Sequence, residues 1–499
     1  MTRAPGRGHP PAQWLQSRTR KGDFVGRSDA RHDGRRFSRP LYRWLPVALV
    51  LAVLAGAFVS FEYDLGDKLG LSRDEAGPAG VEPPEGLELP ELPTPAPVAG
   101  ELPGGSVRTT KVRAALAPYL KDKDLGPHVV VAVAQPGQDP VFEQGRGPAT
   151  PASTMKLLTT VAALESLGPG ATFTTRVVDG AKPRDIVLVG GGDPYLARKP
   201  GRSSYPRVAD VTTLAGKTAA ALKAAGRTTV RVQYDDHLFT GPKASPTWPP
   251  TYADVAAPIS ALWVDQGTTP GQYGFDQDPA AVAADAFVAG LEKAGITVAG
   301  TPKRVKSGES ADVASVQSPP LWQIVEKVLA TSDNEGADVL SHQVGLAEGT
   351  GGSFVGGARA VRQVLTGIGV DLDGAVIHDG SGLSRSDRLQ PATLLDVLAH
   401  AADAERPELR AAITGLPVAG FTGSLAFRFD KGAPAGRGRV RAKTGTLTGV
   451  HGLAGVTTDR QGNLMSFVLI ADKVRLEDTL DARATLDQMA AALGACRCG

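Results

Sequence analysis

Apolar residues recur along the chain with two periods, alternating in some stretches and at helical spacing in others. Runs rich in β-branched residues predict strands over 128–135, 185–190, 228–234, 450–457 and 464–471. Apolar positions at helical spacing predict helices over 153–167, 280–294, 321–330, 335–346 and 476–493. Helix-rich segments around a late antiparallel hairpin predict an α+β fold.

The N-terminal region follows a different pattern. Residues 44–61 are eighteen residues without a charge, about the minimum length for a membrane-spanning helix. Arginines precede this run and acidic residues follow it, which places the N-terminus in the cytoplasm and the rest of the chain outside it. We expect 44–61 to be an uncleaved signal anchor. The alternative is a signal peptide that is cleaved near 55–57.

Charge and composition change along the chain. Residues 1–43 carry a net charge of +8, whereas the whole chain carries +2, so the remainder is acidic. This distribution excludes a generally basic body that coats nucleic acid. The stretch 77–105 contains eight prolines, six glycines and five glutamates. We therefore interpret 62–105 as an extended linker that holds the body off the membrane.

The only two cysteines, Cys496 and Cys498, lie at the extreme C-terminus. Their number excludes a disulfide framework and a cysteine-based zinc site. Because a single residue separates them, we predict that they do not form an ordinary disulfide with each other. Free thiols or pairing with another molecule are the alternatives. The eight histidines show no metal-ligand spacing, and we predict no metal and no cofactor.

A hydroxyl and an amine lie three residues apart at the start of the helix predicted over 153–167. At that spacing Ser153 and Lys156 share one helix face, so the amine can reach the hydroxyl oxygen. A serine needs a base to become a nucleophile, and a partly desolvated lysine can be that base. A capping serine beside a solvated lysine is the alternative, although the chain contains no other Ser-x-x-Lys.

Ser332-Asp333-Asn334 lies in the break between two predicted helices. These residue types also favour ordinary turns, but the chain contains only two asparagines and generally builds its turns without them.

Lys443-Thr444-Gly445-Thr446 opens the strand before the late hairpin. The lysine supplies a cation, the threonine a hydroxyl for a substrate carboxylate, and the glycine lets a ligand or backbone approach closely. A plain strand-edge turn is the alternative.

Together, and in this order, the three motifs form the signature of penicillin-binding proteins and serine β-lactamases. Ser153 and Ser332 are far enough apart for a domain-sized insertion, predicted over 170–315. This layout resembles the type-4 penicillin-binding proteins, a D-alanyl-D-alanine carboxypeptidase/endopeptidase family. Five stretches agree with that family's pattern: LVGGGDPYL at 188–196, YDDHLFTGP at 234–242, APISALWVDQG at 257–267, DGSGLSR at 379–385 and LPVAGFTGSL at 416–425.

The resemblance implies a β-lactamase/transpeptidase-like domain, an antiparallel sheet flanked by helices, formed by 106–169 and 316–499. It also implies roles for the motif residues. Ser153 would attack the carbonyl between two D-alanines and form an acyl-enzyme. Lys156 would take the proton of Ser153, Ser332 would relay a proton to the leaving amine, and Asn334 would bind the substrate and orient Lys156. Lys443 would supply a positive charge, Thr444 would bind the substrate carboxylate, and Gly445 would let the substrate approach the strand closely. The N–H groups of Ser153 and Thr446 would form the oxyanion hole.

The implied enzyme is a penicillin-sensitive serine D-alanyl-D-alanine carboxypeptidase or endopeptidase. Its expected partners are peptidoglycan stem peptides or cross-links, β-lactam antibiotics as covalent inhibitors, and the membrane through the anchor, but no nucleic acid. We expect a single-pass cell-membrane protein with its catalytic body outside the cytoplasm. A β-lactamase or esterase on the same scaffold and a non-catalytic wall-binding scaffold are the alternatives.

Overall fold

The computed structural model describes residues 105–201, 205–430 and 432–499. The predicted basic segment 1–43, the predicted anchor 44–61 and all but the last residue of the linker 62–105 lie outside these residues. None of the helices within the described ranges is long and apolar enough to cross a membrane.

The described residues form ten α-helices and eleven strands. The helices are α1 (Thr109–Leu116), α2 (Met155–Leu167), α3 (Val211–Ala224), α4 (Pro279–Lys293), α5 (Leu321–Thr331), α6 (Asn334–Ala347), α7 (Phe354–Gly367), α8 (Pro391–Ala402), α9 (Ala411–Thr414) and α10 (Thr479–Ala495). The strands are β1 (Val129–Ala134), β2 (Pro140–Gln144), β3 (Thr174–Asp179), β4 (Asp185–Val189), β5 (Thr229–Asp235), β6 (Thr297–Val298), β7 (Lys303–Arg304), β8 (Asp312–Gln317), β9 (Arg441–Leu447), β10 (Val450–Thr458) and β11 (Leu464–Ala471).

The first sheet, which we call the catalytic sheet, has the strand order β2-β1-β11-β10-β9, and all its pairings are antiparallel. Helices cover both of its faces. In β1, Val130 and Ala132 belong to the core under α2 and α8, whereas Val131 and Val133 belong to the core under α1 and α10. Burial on both faces explains why β1 is an uninterrupted apolar run. The predicted α+β fold with an antiparallel sheet flanked by helices is confirmed.

A second sheet, which we call the inserted sheet, has the strand order β6-β5-β4-β3-β8. Its pairing is mixed, because β4 and β5 run parallel while β3 pairs antiparallel with both its neighbours. Two helices, α3 and α4, contribute to its core, although we predicted only one helix in this stretch. The missed helix α3 begins after Asp210, whose side chain accepts a hydrogen bond from the Thr213 N–H at 2.7 Å. Its many Ala and Thr residues weaken the apolar period that reveals a helix.

The prediction that Cys496 and Cys498 do not pair with each other is wrong. The two residues form a disulfide, and their Cα atoms lie 5.4 Å apart, within the usual range for a disulfide. α10 ends at Ala495 and Cys496 is extended, so the chain turns at the helix end and brings Cys498 back. Cys498 is buried, and its N–H donates to Asp459 Oδ2 at 3.0 Å. Sequence separation alone does not report this change of direction.

Candidate active site

Ser153 lies in a short 3-10 turn, Ala152–Thr154, that leads directly into α2. The turn is tight, because Ala152 has a left-handed φ of 47° and the Thr154 hydroxyl donates to Pro151 O at 2.7 Å. Two glycines let other segments pack against this turn. A Cβ on Gly382 would lie 1.9 Å from Ala152 O, and a Cβ on Gly445 would lie 2.7 Å from Pro151 O. The backbone just before Ser153 is therefore held from two sides.

The amine of Lys156 lies at the centre of the site and is fully buried. Its Nζ donates to Ser153 Oγ at 2.9 Å, to Asn334 Oδ1 at 2.8 Å and to Ser381 O at 2.6 Å. An ammonium group has three N–H donors, so these three acceptors satisfy it completely. The arrangement joins the first motif to the second and to a carbonyl that the sequence motifs do not mark.

The same geometry defines what neutral Lys156 can do. The Asn334 and Ser381 oxygens can only accept hydrogen bonds, whereas the Ser153 hydroxyl can also donate one. After loss of a proton, the two remaining N–H bonds of Lys156 stay on the two carbonyl oxygens and its lone pair faces Ser153. Burial lowers the pKa of Lys156 to about 8, and its acidic neighbours, chiefly Asp338 and Asp379, oppose this shift to the extent that they are ionised. A neutral form is therefore accessible near physiological pH.

Ser332 and Lys443 form the second hydroxyl–amine pair. Ser332 ends α5 in a left-handed conformation with φ 60°, which is uncommon for a residue with a side chain. Lys443 Nζ donates to Ser332 Oγ at 2.8 Å and to Thr444 O at 2.9 Å. Lys443 is fully buried, and burial together with the charge of Lys156 holds its pKa well below the usual value. Because Lys443 donates to the Ser332 oxygen, the Ser332 hydroxyl hydrogen is left to point elsewhere.

Thr444, Gly445 and Thr446 lie on β9, the edge strand of the catalytic sheet. The N–H of Ala442 donates to Pro417 O at 3.0 Å, away from β10. Backbone direction alternates along a strand, so the N–H of Thr446 points away from β10 as well. The Thr444 hydroxyl exchanges a hydrogen bond with Ser424 Oγ at 2.9 Å, a partner that the motifs alone did not assign.

A cleft of about 460 Å³ opens over these groups. Five of the predicted residues line it, namely Ser153, Ser332, Asn334, Thr444 and Thr446. Lys156 and Lys443 lie beneath its floor. Its other lining residues are Tyr252, Val255, Leu383, Leu447 and Thr448. Tyr252 and Val255 come from the predicted insertion and carry no recognisable chemical pattern, which is why sequence reasoning missed them.

The predicted insertion also supports the second motif from behind. The side-chain amide of Gln266 donates to both carboxylate oxygens of Asp333, at 3.0 and 2.9 Å. Asp333 in turn caps α6 by accepting from the Gly336 N–H at 2.8 Å. The Ala257 N–H donates to Glu335 Oε1 at 3.1 Å. The stretch 257–267 thus positions the helix that presents Asn334.

The sequence profile of the D-Ala-D-Ala carboxypeptidase 3 (S13) family matches residues 112–273 and 275–493. The chain belongs to this family. Carboxypeptidase DacB of Mycolicibacterium smegmatis is 34% identical over an alignment of 468 residues that covers 91% of this chain and 96% of that protein. The D-alanyl-D-alanine carboxypeptidase of an Actinomadura species is 29% identical and covers 72% of this chain and 80% of its own length.

A solved structure shares the S13 chain's fold. Penicillin-binding protein 4 (dacB) from Haemophilus influenzae superposes with a TM-score of 0.63 at 23% identity, over 78% of this chain and 98% of its own. The family and the enzyme class predicted from the sequence are confirmed: this S13 member is a serine-type D-Ala-D-Ala carboxypeptidase. The roles predicted for its individual residues stay predictions.

Proposed function

We propose that this S13 carboxypeptidase hydrolyses D-alanyl-D-alanine bonds in peptidoglycan stem peptides or cross-links through an acyl-enzyme on Ser153. One observation carries the proposal: the buried amine of Lys156 donates to Ser153 Oγ at 2.9 Å, while its other two N–H groups are held by acceptor-only oxygens. Its lone pair, once formed, has a single partner that can give up a proton. That partner is the nucleophile.

In the first step, neutral Lys156 takes the proton of the Ser153 hydroxyl as Oγ attacks the carbonyl carbon between the two D-alanines. The carbonyl oxygen becomes an oxyanion, and the N–H groups of Ser153 and Thr446 are its proposed donors. Thr446 suits this role because it lies on the free edge of β9 and lines the cleft. One such donor is typically worth about 3 kcal/mol of transition-state stabilisation.

In the second step, the bond between the carbonyl carbon and the D-alanine nitrogen breaks, and that nitrogen needs a proton. We assign its delivery to Ser332, whose oxygen accepts from Lys443 Nζ at 2.8 Å and whose hydrogen is therefore free to point into the cleft. The proton that Ser332 gives is replaced from Lys156, which returns the base to its neutral form. Free D-alanine leaves, and a water molecule then hydrolyses the ester on Ser153.

Recognition of the substrate uses the remaining motif residues. The Thr444 hydroxyl lies at the cleft surface above buried Lys443, so it can bind a terminal carboxylate in a region of positive potential. Asn334 holds the base through Oδ1, which leaves its amide N–H₂ to bind the substrate peptide. Gly445 keeps β9 close to the turn that contains Ser153.

We also propose the wider setting of the enzyme. The sequence divides into a catalytic domain over 106–169 and 316–499, an inserted domain over 170–315, a linker over 62–105 and an uncleaved anchor over 44–61. The charge asymmetry around the anchor supports a body outside the cytoplasmic membrane. The structure of the Haemophilus influenzae relative complexed with a novel β-lactam supports inhibition of this chain by β-lactams.

The test is the intact mass of the full-length chain over time with excess benzylpenicillin. We expect one persistent adduct per chain and no adduct on Ser153→Ala. Ser166→Ala is the matched control, because Ser166 lies on α2 as well but bonds Glu348 outside the cleft. Release of D-alanine from a peptide ending in D-alanyl-D-alanine, compared with cleavage of a cross-linked dimer, then separates carboxypeptidase from endopeptidase activity.

The other outcomes identify the alternatives. Rapid consumption of benzylpenicillin without a persistent adduct would indicate a β-lactamase on the same scaffold. Unchanged drug and unchanged peptide would indicate a non-catalytic scaffold and would contradict the proposal. An adduct that persists on Ser153→Ala would mean that the nucleophile is a different residue.

A further inference from the structure

The third acceptor of Lys156 is a backbone carbonyl, and its position depends on the loop 379–384. Ser381 O lies 2.6 Å from Lys156 Nζ, the shortest of the three hydrogen bonds that the amine makes. A carbonyl on a loop is not held by a helix or strand. Its position must come from the groups that bind the neighbouring peptide.

Gly380, the residue before Ser381, is held at both of its backbone polar groups. Asp338 Oδ1 accepts from the Gly380 N–H at 2.7 Å, and the Thr159 hydroxyl donates to Gly380 O at 2.7 Å. Asp338 and Thr159 are both buried, at 0% and 1% exposure. The first of these hydrogen bonds comes from α6 and the second from α2. The loop is therefore fixed to the two helices that carry Asn334 and Lys156.

Asp338 is suitably placed for this task. It lies one turn after Asn334 on α6, so the two side chains share a helix face. Gly380 packs tightly against that helix, because a Cβ there would lie 2.6 Å from Ala337 O. Asn334 thus accepts a hydrogen bond from Lys156 with its own side chain. Asp338 does not contact Lys156 in this way, but it fixes Gly380 and so positions the Ser381 carbonyl that accepts the next hydrogen bond.

We infer that Asp338 is a positioning residue for the general base: its carboxyl oxygen fixes the Gly380 N–H and thereby holds the Ser381 carbonyl on Lys156. The inference rests on the proposed function, in which Lys156 is that base. It assigns Asp338 no contact with substrate. It predicts that the hydrogen-bond acceptor of Asp338, rather than its charge, is what catalysis needs.

The surroundings of Asp338 favour a neutral carboxyl. Its Oδ2 is buried and has no partner of ordinary hydrogen-bond geometry among the described residues, while the nearby Ser381 hydroxyl opposes neutralisation only in part. An ionised oxygen in that position would be costly. Burial, reinforced by the charge of Asp379, raises the pKa of Asp338 well above its usual value. The charged and titratable groups that act on Lys156 are Asp333 at the N-cap of α6, Glu335 and Asp338 on α6, Asp379 in the loop and Lys443 on β9.

The experiment measures the rate constant of acylation by benzylpenicillin from pH 5 to pH 10 in the full-length chain. Asp338→Asn keeps an oxygen acceptor for the Gly380 N–H, and we expect a rate within about threefold of wild type and an unchanged acidic limb of the profile. Asp338→Ala removes the acceptor. We expect its plateau to fall at least about tenfold and its limb to move to lower pH, because the Lys156 ammonium loses a fixed acceptor and becomes a weaker base.

Thr159→Val is the second variant, because it removes the hydrogen bond to Gly380 O at nearly constant side-chain volume. We expect the plateau rate to fall and the acidic limb to move to lower pH, as in Asp338→Ala, but by smaller amounts. Asp210→Asn is the matched control: Asp210 is also buried, and its carboxylate also accepts from a backbone N–H, that of Thr213 at the start of α3, outside the loop 379–384. Its profile should equal that of the wild type.

Several outcomes overturn the inference. If Asp338 has only a structural role, Asp338→Ala will lower the fraction of chains that acylate, measured as the final adduct per chain. The acylation rate of the remaining folded enzyme and the acidic limb of its pH profile will then equal those of the wild type. Equal impairment of the Asn and Ala variants would assign the effect to the charge. If Asp338→Ala does not fold, a wild-type profile of Thr159→Val overturns the inference by itself. A wild-type chain that never acylates would overturn the proposed function together with it.

Discussion

The half of the protein around the catalytic sheet buries two lysines completely, whereas no lysine or arginine is buried among the described residues of the half around the inserted sheet. In the catalytic half, Lys156 and Lys443 have no exposed surface at all. In the inserted half, the ion-paired cations remain partly in solvent: the side chains of Arg176, Lys243 and Arg304 are 38%, 38% and 37% exposed. Both halves have apolar cores of ordinary composition, so the contrast does not come from packing.

Burial of an ammonium group is expensive unless its hydrogen bonds are satisfied, and surface ion pairs contribute little stability. Burying two lysines within one site does not increase the stability of a fold. The cost is understandable where a lowered pKa is needed for proton transfer. We therefore expect the chemistry in the catalytic half and a supporting role for the inserted half, whose Gln266 donates to Asp333 and whose Tyr252 lines the cleft.

The strongest test of this contrast is the pH dependence of acylation. The pKa of Lys156 is lowered to about 8, and only the neutral amine can take the Ser153 proton. Below that value the neutral fraction falls tenfold per pH unit, so we expect the acylation rate at pH 6 to be roughly 100-fold below its plateau. Stopped-flow or quenched acylation by benzylpenicillin measures it. A rate that stays flat between pH 6 and pH 9 would remove Lys156 from the role of base.

The two halves should also respond differently when a glycine is replaced by alanine. Gly445→Ala would push a methyl group into Pro151 O at 2.7 Å, and we expect acylation to fall about tenfold or more. Gly216 lies within α3, and apart from the backbone of that helix no atom lies within 4 Å of a Cβ added there, so Gly216→Ala should stabilise the protein by about 0.5–1 kcal/mol. Acylation rates and thermal unfolding of both variants check this. If the two variants acylate at the same rate, the turn before Ser153 tolerates displacement.

The bridge between the two halves should have a smaller effect. Gln266→Ala removes two hydrogen bonds to Asp333, and we expect acylation to slow by several fold because Asn334 at the start of α6 is less well placed. Gln277→Ala is a control, since Gln277 is an exposed glutamine that only meets a nearby backbone carbonyl. If both variants acylate at the wild-type rate, the inserted half does not support the second motif.

The smallest effect is expected at a surface ion pair of the inserted sheet. Arg176 and Asp312 are both partly exposed, at 38% and 44%, and lie on neighbouring strands. Arg176→Ala should lower the free energy of unfolding by no more than about 1 kcal/mol and leave acylation unchanged. Chemical denaturation with a parallel acylation assay measures both. A larger loss would mean that this half also depends on its charges.

Several elements that have a strong local pattern were predicted from the sequence. The apolar runs of β1, β10 and β11 and the helices α2, α4, α5 and α6 follow directly from residue periodicity. The motif residues are recognisable because each combines chemistry with fixed spacing. Five helices were not predicted, namely α1, α3, α7, α8 and α9. In α3, alanine and threonine weaken the apolar face.

Features that depend on distant backbone were beyond sequence reasoning. The Ser381 carbonyl has no side-chain signature, since every residue carries a carbonyl. The bonds from Gln266 to Asp333 join residues far apart in the chain, and no spacing rule relates them. The pairing of Cys496 with Cys498 depends on the direction that the chain takes after α10. In each case tertiary structure, rather than local pattern, decides the contact.

The packing of Gly382 has a consequence for the evolution of antibiotic resistance. An enzyme inhibited by β-lactams escapes most directly by changing the wall of its own cleft. Gly382 has a φ of 79° and faces Ala152 O, so any other amino acid at this codon would displace the nucleophile and disable the enzyme before it evaded the drug. Heritable escape must instead pass through neighbours with side chains already in the cleft, such as Leu383 and Tyr252.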